Sequence, residues 1–546
     1  MRKINIYLIL ILFSMLIFIP GIAKLSVIDR DEAHFAQASR QMLQTGNFFQ
    51  VRYQDKTRFQ KPPGINWLQA SSVKLFSTAN ATAIWPYRIP SFLGALFSIL
   101  LTYFLSRYLA GELAARLAAA FLATSLLLVV EAHMAVIDSS LLFSVLLMQT
   151  ALWMIYRDGT TNIKSHWCWA LGFWLAMTYG LVLKGVTPLI GLLSIITLSA
   201  IERRISWLRG LHILVGLTLF IVLSLIWIIP INEAENSNYI LQMINKDLLP
   251  KLQGGHESHG KPPLFHLLIL PITFWPASLF LWQGGIFAIQ NRHKKSVKFL
   301  LAWILPTWLF FEIMPTKLPQ YVLPTFPALA IFCGLALSEP IKFKMPGKGL
   351  RILQIVWGIL SIGLAAAITS LPYLLMQEWT FVALSLFLII TLFTVIGVYY
   401  AWYGNYHRAA YTLILMALIS YPLIFTSLLP QLKPLWITNN ITEVIDKNKF
   451  SSEKPLLAVD FQEPSLVFKF NTQNVKFTDR GTAALLINSD NSRIALMEAK
   501  TFDNSKQLYK NPLILTSLKG FNYSKGRWLE LVLVSRSSGE NEHVTF

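Results

Sequence analysis

Thirteen mostly apolar runs, each near the roughly 20 residues that a membrane-crossing helix needs, are separated by polar gaps. They cover residues 4–24, 84–107, 113–130, 134–156, 167–183, 186–201, 211–231, 264–289, 297–314, 318–337, 352–374, 379–402 and 409–429. Lys184-Gly185 divides the fifth run from the sixth, which merged would be too long for one helix. Two gaps exceed a simple connection, residues 25–83 and 232–262. The first carries two helical periodicities. Residues 31–43 place Phe35, Ala38, Met42 and Leu43 on one stripe, ended by Thr45-Gly46-Asn47. Residues 65–76 place Ile65, Leu68, Ser72 and Leu75 at similar spacing after Pro62-Pro63-Gly64. Both predict helices lying on the membrane surface. After Pro434 the runs shorten to 456–459, 466–470, 483–487 and 528–534, separated by Asn, Asp, Ser and Gly. The expected organisation is a transmembrane domain over 1–434 and a small α/β domain over 435–546.

Composition supports lipid as the main solvent. The chain is 54% hydrophobic and 14% charged, with mean hydropathy +0.51, whereas soluble domains are about 25% charged. The net charge of +19 does not mark a nucleic-acid binder, because the basic residues sit in short gaps between apolar runs. Cys168 and Cys333 lie inside such runs and read as packing residues. The first run is longer than a signal-peptide core and lacks a small-residue cleavage site, so it reads as a retained span. With the N-terminus cytoplasmic, the inner gaps hold Arg107, Arg157, Lys164, Arg203, Arg204, Arg209, Arg292, Lys294, Lys295, Lys298, Lys342, Lys344, Lys348, Arg351 and Arg408. The short outer gaps hold little beyond Lys184 and Lys317, as the positive-inside rule requires. Both long gaps and the C-terminal domain then face outward.

The outward side gathers the candidate chemistry. Asp29, Asp31 and Glu32 open the first periodic stretch, and three carboxylates exceed what one helix cap needs. A general base or substrate-orienting acid is the other reading. Asp138 stands at the outer end of the fourth run, where an acid is costly and by default functional. Lys61, Lys184 and Lys317 are either snorkelling lysines or a charge cluster for phosphate. His256 and His259, flanking Glu257 and Ser258, offer ligands for a divalent metal or ordinary hydrogen-bonding partners.

Several motifs together carry a family resemblance. Asp31-Glu32-Ala33-His34-Phe35, Gln41-Met42-Leu43, Lys61-Pro62-Pro63, Trp67-Leu68-Gln69-Ala70, Lys317-Leu318-Pro319-Gln320-Tyr321-Val322-Leu323-Pro324 and Gln462-Glu463-Pro464-Ser465-Leu466 resemble the bacterial lipid A aminoarabinose transferase family. More distantly, the chain is similar to protein O-mannosyltransferases. The resemblance implies a polytopic α-helical GT-C fold of about 13 spans, with periplasmic surface helices and a small C-terminal α/β domain. It implies an inverting glycosyltransferase of the bacterial inner membrane that takes a sugar from undecaprenyl phosphate and passes it to lipid A or another envelope glycan or lipid at the periplasmic face. Asp31, Glu32 and Asp138 match catalytic acids, and Lys61 matches a donor-phosphate lysine. Tyr321 and Glu463 match further site residues, and Lys184 joins the phosphate set. Two departures stand out. His34-Phe35 replaces the family's Arg-Tyr, and Gln60 replaces the Glu that precedes Lys-Pro-Pro and helps hold a metal with a later His. The metal and the sugar therefore stay open. Two other readings are a transporter or flippase of a lipid-linked substrate, which would place polar groups at the midplane in repeated broken helices, and an O-glycosyltransferase acting on protein.

Overall fold

In the computed structural model, the described residues are 5–159, 166–235, 237–253, 260–338, 347–447 and 454–537. The first half runs through α1 (Ile6–Phe18), α2 (Asp31–Thr45), α3 (Gly64–Phe76), α4 (Trp85–Ala110), α5 (Glu112–Ala123), α6 (Leu126–Ala132), α7 (Asp138–Asp158), α8 (His166–Leu183), α9 (Thr187–Glu202) and α10 (Ile213–Ala234). Among the described residues, eight helices are long and apolar enough to cross a membrane: α4, α7, α10, Lys295–Ile313, Pro319–Ser338, Lys348–Met376, Phe381–Trp402 and Tyr406–Gln431. Two bent pairs, α5 with α6 at 59° and Phe265–Thr273 with Ala277–Gln290 at 114°, raise this to ten if each is one crossing. The chain is a multi-pass helical membrane protein. The apolar runs at 4–24 and 186–201 yield helices of only 13 and 16 residues, short of the roughly 20 that span unaided.

Helix α7 is buried along almost its whole length and packs on α4 and α8. Two close approaches set the geometry around it. A Cβ on Gly94 of α4 would stand 2.6 Å from the Ser140 nitrogen, so the two backbones touch beside Asp138. A Cβ on Gly64 would stand 2.5 Å from the Val182 carbonyl oxygen. The start of α3 therefore sits against the end of α8, and the Lys61-Pro62-Pro63 turn comes up beside Lys184. Proline lacks the N–H that a helix interior needs, which explains why α3 begins only after the pair.

Helix α2 corrects the expectation of a surface helix. Its buried residues include Glu32, Ala33, Phe35, Ala36, Gln37, Ala38, Ser39, Arg40 and Met42, well beyond one stripe. It is enclosed between α3 and the helix Pro464–Phe470. Polar residues inside find long-range partners there: Arg40 donates to the carbonyls of Ala79, Asn80 and Phe468, and the Gln37 amide nitrogen donates to Thr472. Only the end of α3 keeps the surface character, with Leu75 and Phe76 exposed. Between the two helices a tight hairpin, β1 (Arg52–Tyr53) and β2 (Lys56–Thr57), turns the chain back toward the start of α2.

Beyond Pro434 the structure forms a five-stranded mixed sheet from β3 (Leu456–Ala458), β4 (Val475–Phe477), β5 (Ala495–Glu498), β6 (Pro512–Asn522) and β7 (Arg527–Arg536). The order is β4-β3-β5-β7-β6; β3 runs parallel to β4 and β5, and β7 antiparallel to β5 and β6. The apolar runs at 466–470 and 483–487 are helices, Pro464–Phe470 and Arg480–Ser489, rather than strands. Each follows a turn that a Pro or an Asp side chain starts: Pro464 opens the first, and Asp479 accepts from the Gly481 and Thr482 amides at the second. The β6–β7 turn points back at the first loop and brings Tyr523 onto Asp29.

Candidate active site

The three acids at the start of α2 point three ways. Asp31 opens into a cavity of about 440 Å³ and keeps a largely exposed side chain, with Arg58 3.6 Å away. Glu32 is buried. It accepts from Arg88 Nε at 2.8 Å and Nη2 at 2.9 Å, and from the Ile28 and Ala135 amides at 2.7 Å each. A carboxylate offers about four acceptor positions, and all of Glu32's are filled. Glu32 lines the cavity, but its acceptor positions are turned to Arg88 and two amides, an arrangement suited to fastening α4 to the start of α2. Asp29 faces the C-terminal sheet, accepts from the Ser465 amide at 2.9 Å and donates its own amide to the Tyr523 hydroxyl at 2.7 Å. Burial pushes the Asp29 carboxyl up to about 7, against the hydrogen bond from Ser465. None of the three caps α2: Arg30 occupies that position at φ 75, with no side-chain cap.

Arg58 follows the hairpin and lies over the Phe35 ring, 4.6 Å from its centroid. His34 meets Tyr53 edge-on at 4.7 Å. Burial, and then Arg58, push the His34 imidazole down to about 3, so at neutral pH it is an uncharged wall. The guanidinium at this place comes from the hairpin rather than from α2.

A second corner of the cavity is cationic. Lys184, in the break between α8 and α9, places Nζ 3.0 Å from Asp138 at the first residue of α7, and 4.9 Å from the Tyr321 ring centroid. Burial opposes the Lys184 ammonium, but Asp138 and Tyr321 more than offset it, and its pKa lies above the usual lysine value. Lys61 pairs with Asp247 at 2.9 Å, and Lys251 takes the other Asp247 oxygen at 2.5 Å. Burial, followed by repulsion from Lys251, pushes Lys61 down to about 8. The buried Tyr239 hydroxyl lies 2.9 and 2.8 Å from the carbonyls of Arg58 and Lys61, and so holds the segment that carries both cations.

Gln60, Lys61, Lys184, Asp247, Lys251 and Tyr321 line the polar cavity and also an adjoining apolar groove of about 330 Å³. The groove's remaining wall includes Leu181, Val186, Trp227, Ile240, Met243, Ile244 and Phe311. The cationic corner is therefore the seam between a polar chamber and a greasy channel.

Of the residues picked out in the sequence, Asp31, Glu32, His34, Lys61, Asp138, Lys184 and Tyr321 all line this one cavity. Glu463 does not. It is buried behind it, accepting from Asn522 at 2.8 Å and lying 3.9 Å from Arg30. Lys317 is spent on backbone, donating to the Met314 and Lys261 carbonyls. His256 and His259 lie outside the described residues. Among the described residues no three His, Cys, Asp or Glu side chains gather as a metal site, and Gln60 offers only an amide, so no step below runs through a metal. Sequence reasoning missed Arg58, Asp247, Lys251 and Tyr239. The Asp247/Lys251 spacing of four was a readable helical ion pair. Arg58 and Tyr239 gave no local signal.

Comparison with known proteins agrees with the motif resemblance. The family described as dolichyl-phosphate-mannose-protein mannosyltransferase matches residues 8–240. An undecaprenyl phosphate-alpha-4-amino-4-deoxy-L-arabinose arabinosyl transferase of Pseudomonas fluorescens is 28% identical over 342 residues, 62% of this chain and 60% of that protein. Its counterpart in Pseudomonas aeruginosa is 27% identical over 380 residues, 69% of this chain and 67% of that one. The alignment with the first of these relatives thus spans about three-fifths of its length. The crystal structure of ArnT from Cupriavidus metallidurans bound to undecaprenyl phosphate superposes with a TM-score of 0.75 at 17% identity, covering 98% of this chain and 99% of that one. The apo oligosaccharyltransferase of Archaeoglobus fulgidus gives 0.52 at 9% identity, over 92% and 70%. The chain therefore shares its overall fold with these two solved structures.

Proposed function

We propose that the chain is an inverting glycosyltransferase that takes a sugar from undecaprenyl phosphate and passes it to lipid A or another envelope glycan or lipid. The observation that carries this is the seam of Lys61, Lys184, Lys251 and Tyr321 between a polar chamber and an apolar groove. A ligand matching it has a polyprenyl tail, an anionic junction and a polar head. That is a polyprenyl-phosphate sugar.

In this reading the tail lies along Trp227, Ile240 and Phe311 while the phosphate meets the lysines. The sugar then projects toward Asp31. The acceptor oxygen bonds to the anomeric carbon from the side opposite the phosphate. The carbon–oxygen bond to phosphate breaks, and its electron pair stays on the phosphate, stabilised by Lys61 and Lys184. A hydroxyl acceptor gives its proton to Asp31. A phosphate acceptor has none to lose, and Asp31 with Arg58 then orients it. Asp138 holds Lys184 in place. A divalent metal on His256 and His259 is a separate proposal, and transfer with and without EDTA decides it.

The proposed topology keeps the N-terminus cytoplasmic and takes α1, α8 and α9 as crossings too, for thirteen in all. Residues 1–434 form the catalytic membrane domain, and 435–546 a periplasmic α/β domain with Glu463 shaping the site from behind. Support comes from the opposite ends of α7: Asp138 faces the cavity, while Arg157 at the other end meets Lys295. A transporter or flippase is the rival. The match to protein mannosyltransferases keeps a protein hydroxyl as a second acceptor class. Mass spectrometry of lipid A, envelope glycans and envelope proteins, with and without the gene, separates these. A new sugar mass that requires Asp31 supports transfer; unchanged masses with a redistributed lipid carrier overturn it.

A further inference from the structure

The cationic corner already has an occupant. Asp247 gives one carboxylate oxygen to each of two ammonium groups, Oδ2 to Lys61 at 2.9 Å and Oδ1 to Lys251 at 2.5 Å. Two oxygens of a phosphate would meet the same two lysines in the same way. The carboxylate stands at the seam, among the residues shared by the chamber and the groove. We propose that Asp247 is a resident stand-in for the donor's phosphate, and that a polyprenyl phosphate binds by taking Lys61 and Lys251 from it. This deepens the transferase reading and rests on it.

Three physical points support the exchange. Lysines packed together repel one another, and burial disfavours each ammonium further. A counter-charge relieves both effects at rest, and Lys61 already sits low for these two reasons. Asp247 in turn is held below the usual carboxylate range by Lys61 and Lys251, despite its own burial. The pair therefore keeps both ammonium groups charged and aimed.

The carrier of Asp247 is also suited to let go. It sits in the π-helical turn Ile244–Leu248, whose residues are half-buried or exposed, with the Asp247 side chain itself mostly enclosed against the two lysines. Such turns recur at functional sites, and a segment with little buried surface moves at small cost. The anchor is about two turns before Asp247, at the buried Tyr239, which bonds the carbonyls of Arg58 and Lys61. Asp247 can swing while Tyr239 keeps the lysine turn in place.

Exchange also sets selectivity. A phosphate replaces the lost carboxylate charge for charge, whereas a neutral polyprenol leaves two ammonium groups and Asp247 poorly paired. A purely structural ion pair, tying residues 239–253 to the first loop, predicts the opposite response to neutralising Asp247.

The test is equilibrium binding of undecaprenyl phosphate and undecaprenol to the purified full-length protein in lipid nanodiscs. Removing the competitor by Asp247→Asn should tighten undecaprenyl phosphate about tenfold, some 1.4 kcal/mol, and leave undecaprenol unchanged. Asp247→Glu, which restores the charge, should return to the wild-type value. Asp247→Ser serves in place of the Asn variant if that does not fold. Equal or weaker phosphate binding by the neutral variants overturns the exchange, while the transferase reading survives if the wild type still prefers the phosphate and loses that preference in Lys61→Ala. A wild type with no preference for the phosphate overturns both.

Discussion

Glu32 and Arg88 meet side-on inside the protein, with two nitrogen–oxygen distances of 2.8 and 2.9 Å and both side chains almost fully buried. Arg88 also donates to the carbonyls of Ile22, Leu25 and Ser26, so the pair ties α4 to the segment before α2. Removing one partner of a buried pair costs about 3–5 kcal/mol. Glu32→Ala should therefore lower the thermal unfolding temperature in detergent sharply. Arg88→Met should do the same.

Its neighbour behaves differently. Asp31→Asn should leave the unfolding temperature near that of the wild type and abolish sugar transfer, a loss of about 10²–10⁴-fold if it acts as general base. Wild-type-like product in reconstituted vesicles would refute its role. Arg58→Ala should cost less, about tenfold, with the loss in the acceptor's KM.

Lys61 gives the activity a basic limb. Its ammonium is pushed down to about 8, and a neutral amine no longer attracts phosphate. As pH rises through about 8, kcat/KM for the donor should fall. Lys61→Arg should abolish that fall, since a guanidinium stays charged. Lys61→Ala should lose about 10²–10³-fold at pH 7.

Asp29 should shape stability instead. Its folded pKa, about 7, lies above the ordinary aspartate value of 3.8, so the folded state binds the proton more tightly. Stability from this group is full below about 3.8 and is lost as pH rises toward 7. The unfolding temperature should decline over that interval, and Asp29→Asn should flatten the decline.

The local cues in the chain led to most of the cavity. Asp31, Asp138 and Lys184 are conspicuous for standing at the outer ends of apolar runs, Lys61 and Tyr321 for the motifs they belong to, and all five line one chamber. Glu32 shows why a shared sequence context does not fix a side chain's partners, because adjacent residues on a helix point about 100° apart. Asp31 and Glu32 share a sequence context yet face a cavity and an arginine respectively. The enclosed α2 was misread for a related reason. Its inner polar residues bond to Thr472 and Phe468, which no local periodicity reveals.

By itself the sequence determined that lipid is the solvent, where the long polar loops interrupt it, and which charged groups stand at the membrane's edge. These follow from the cost of burying charge and from the length a helix needs. The tertiary structure alone decided which of those groups is available for chemistry. Availability depends on partners far along the chain: Arg88 fills Glu32, Ser465 and Tyr523 hold Asp29, and Asp247 occupies Lys61. Among the described residues Asp31 meets Arg58 at 3.6 Å and otherwise keeps a largely exposed side chain, which leaves it open to the chamber.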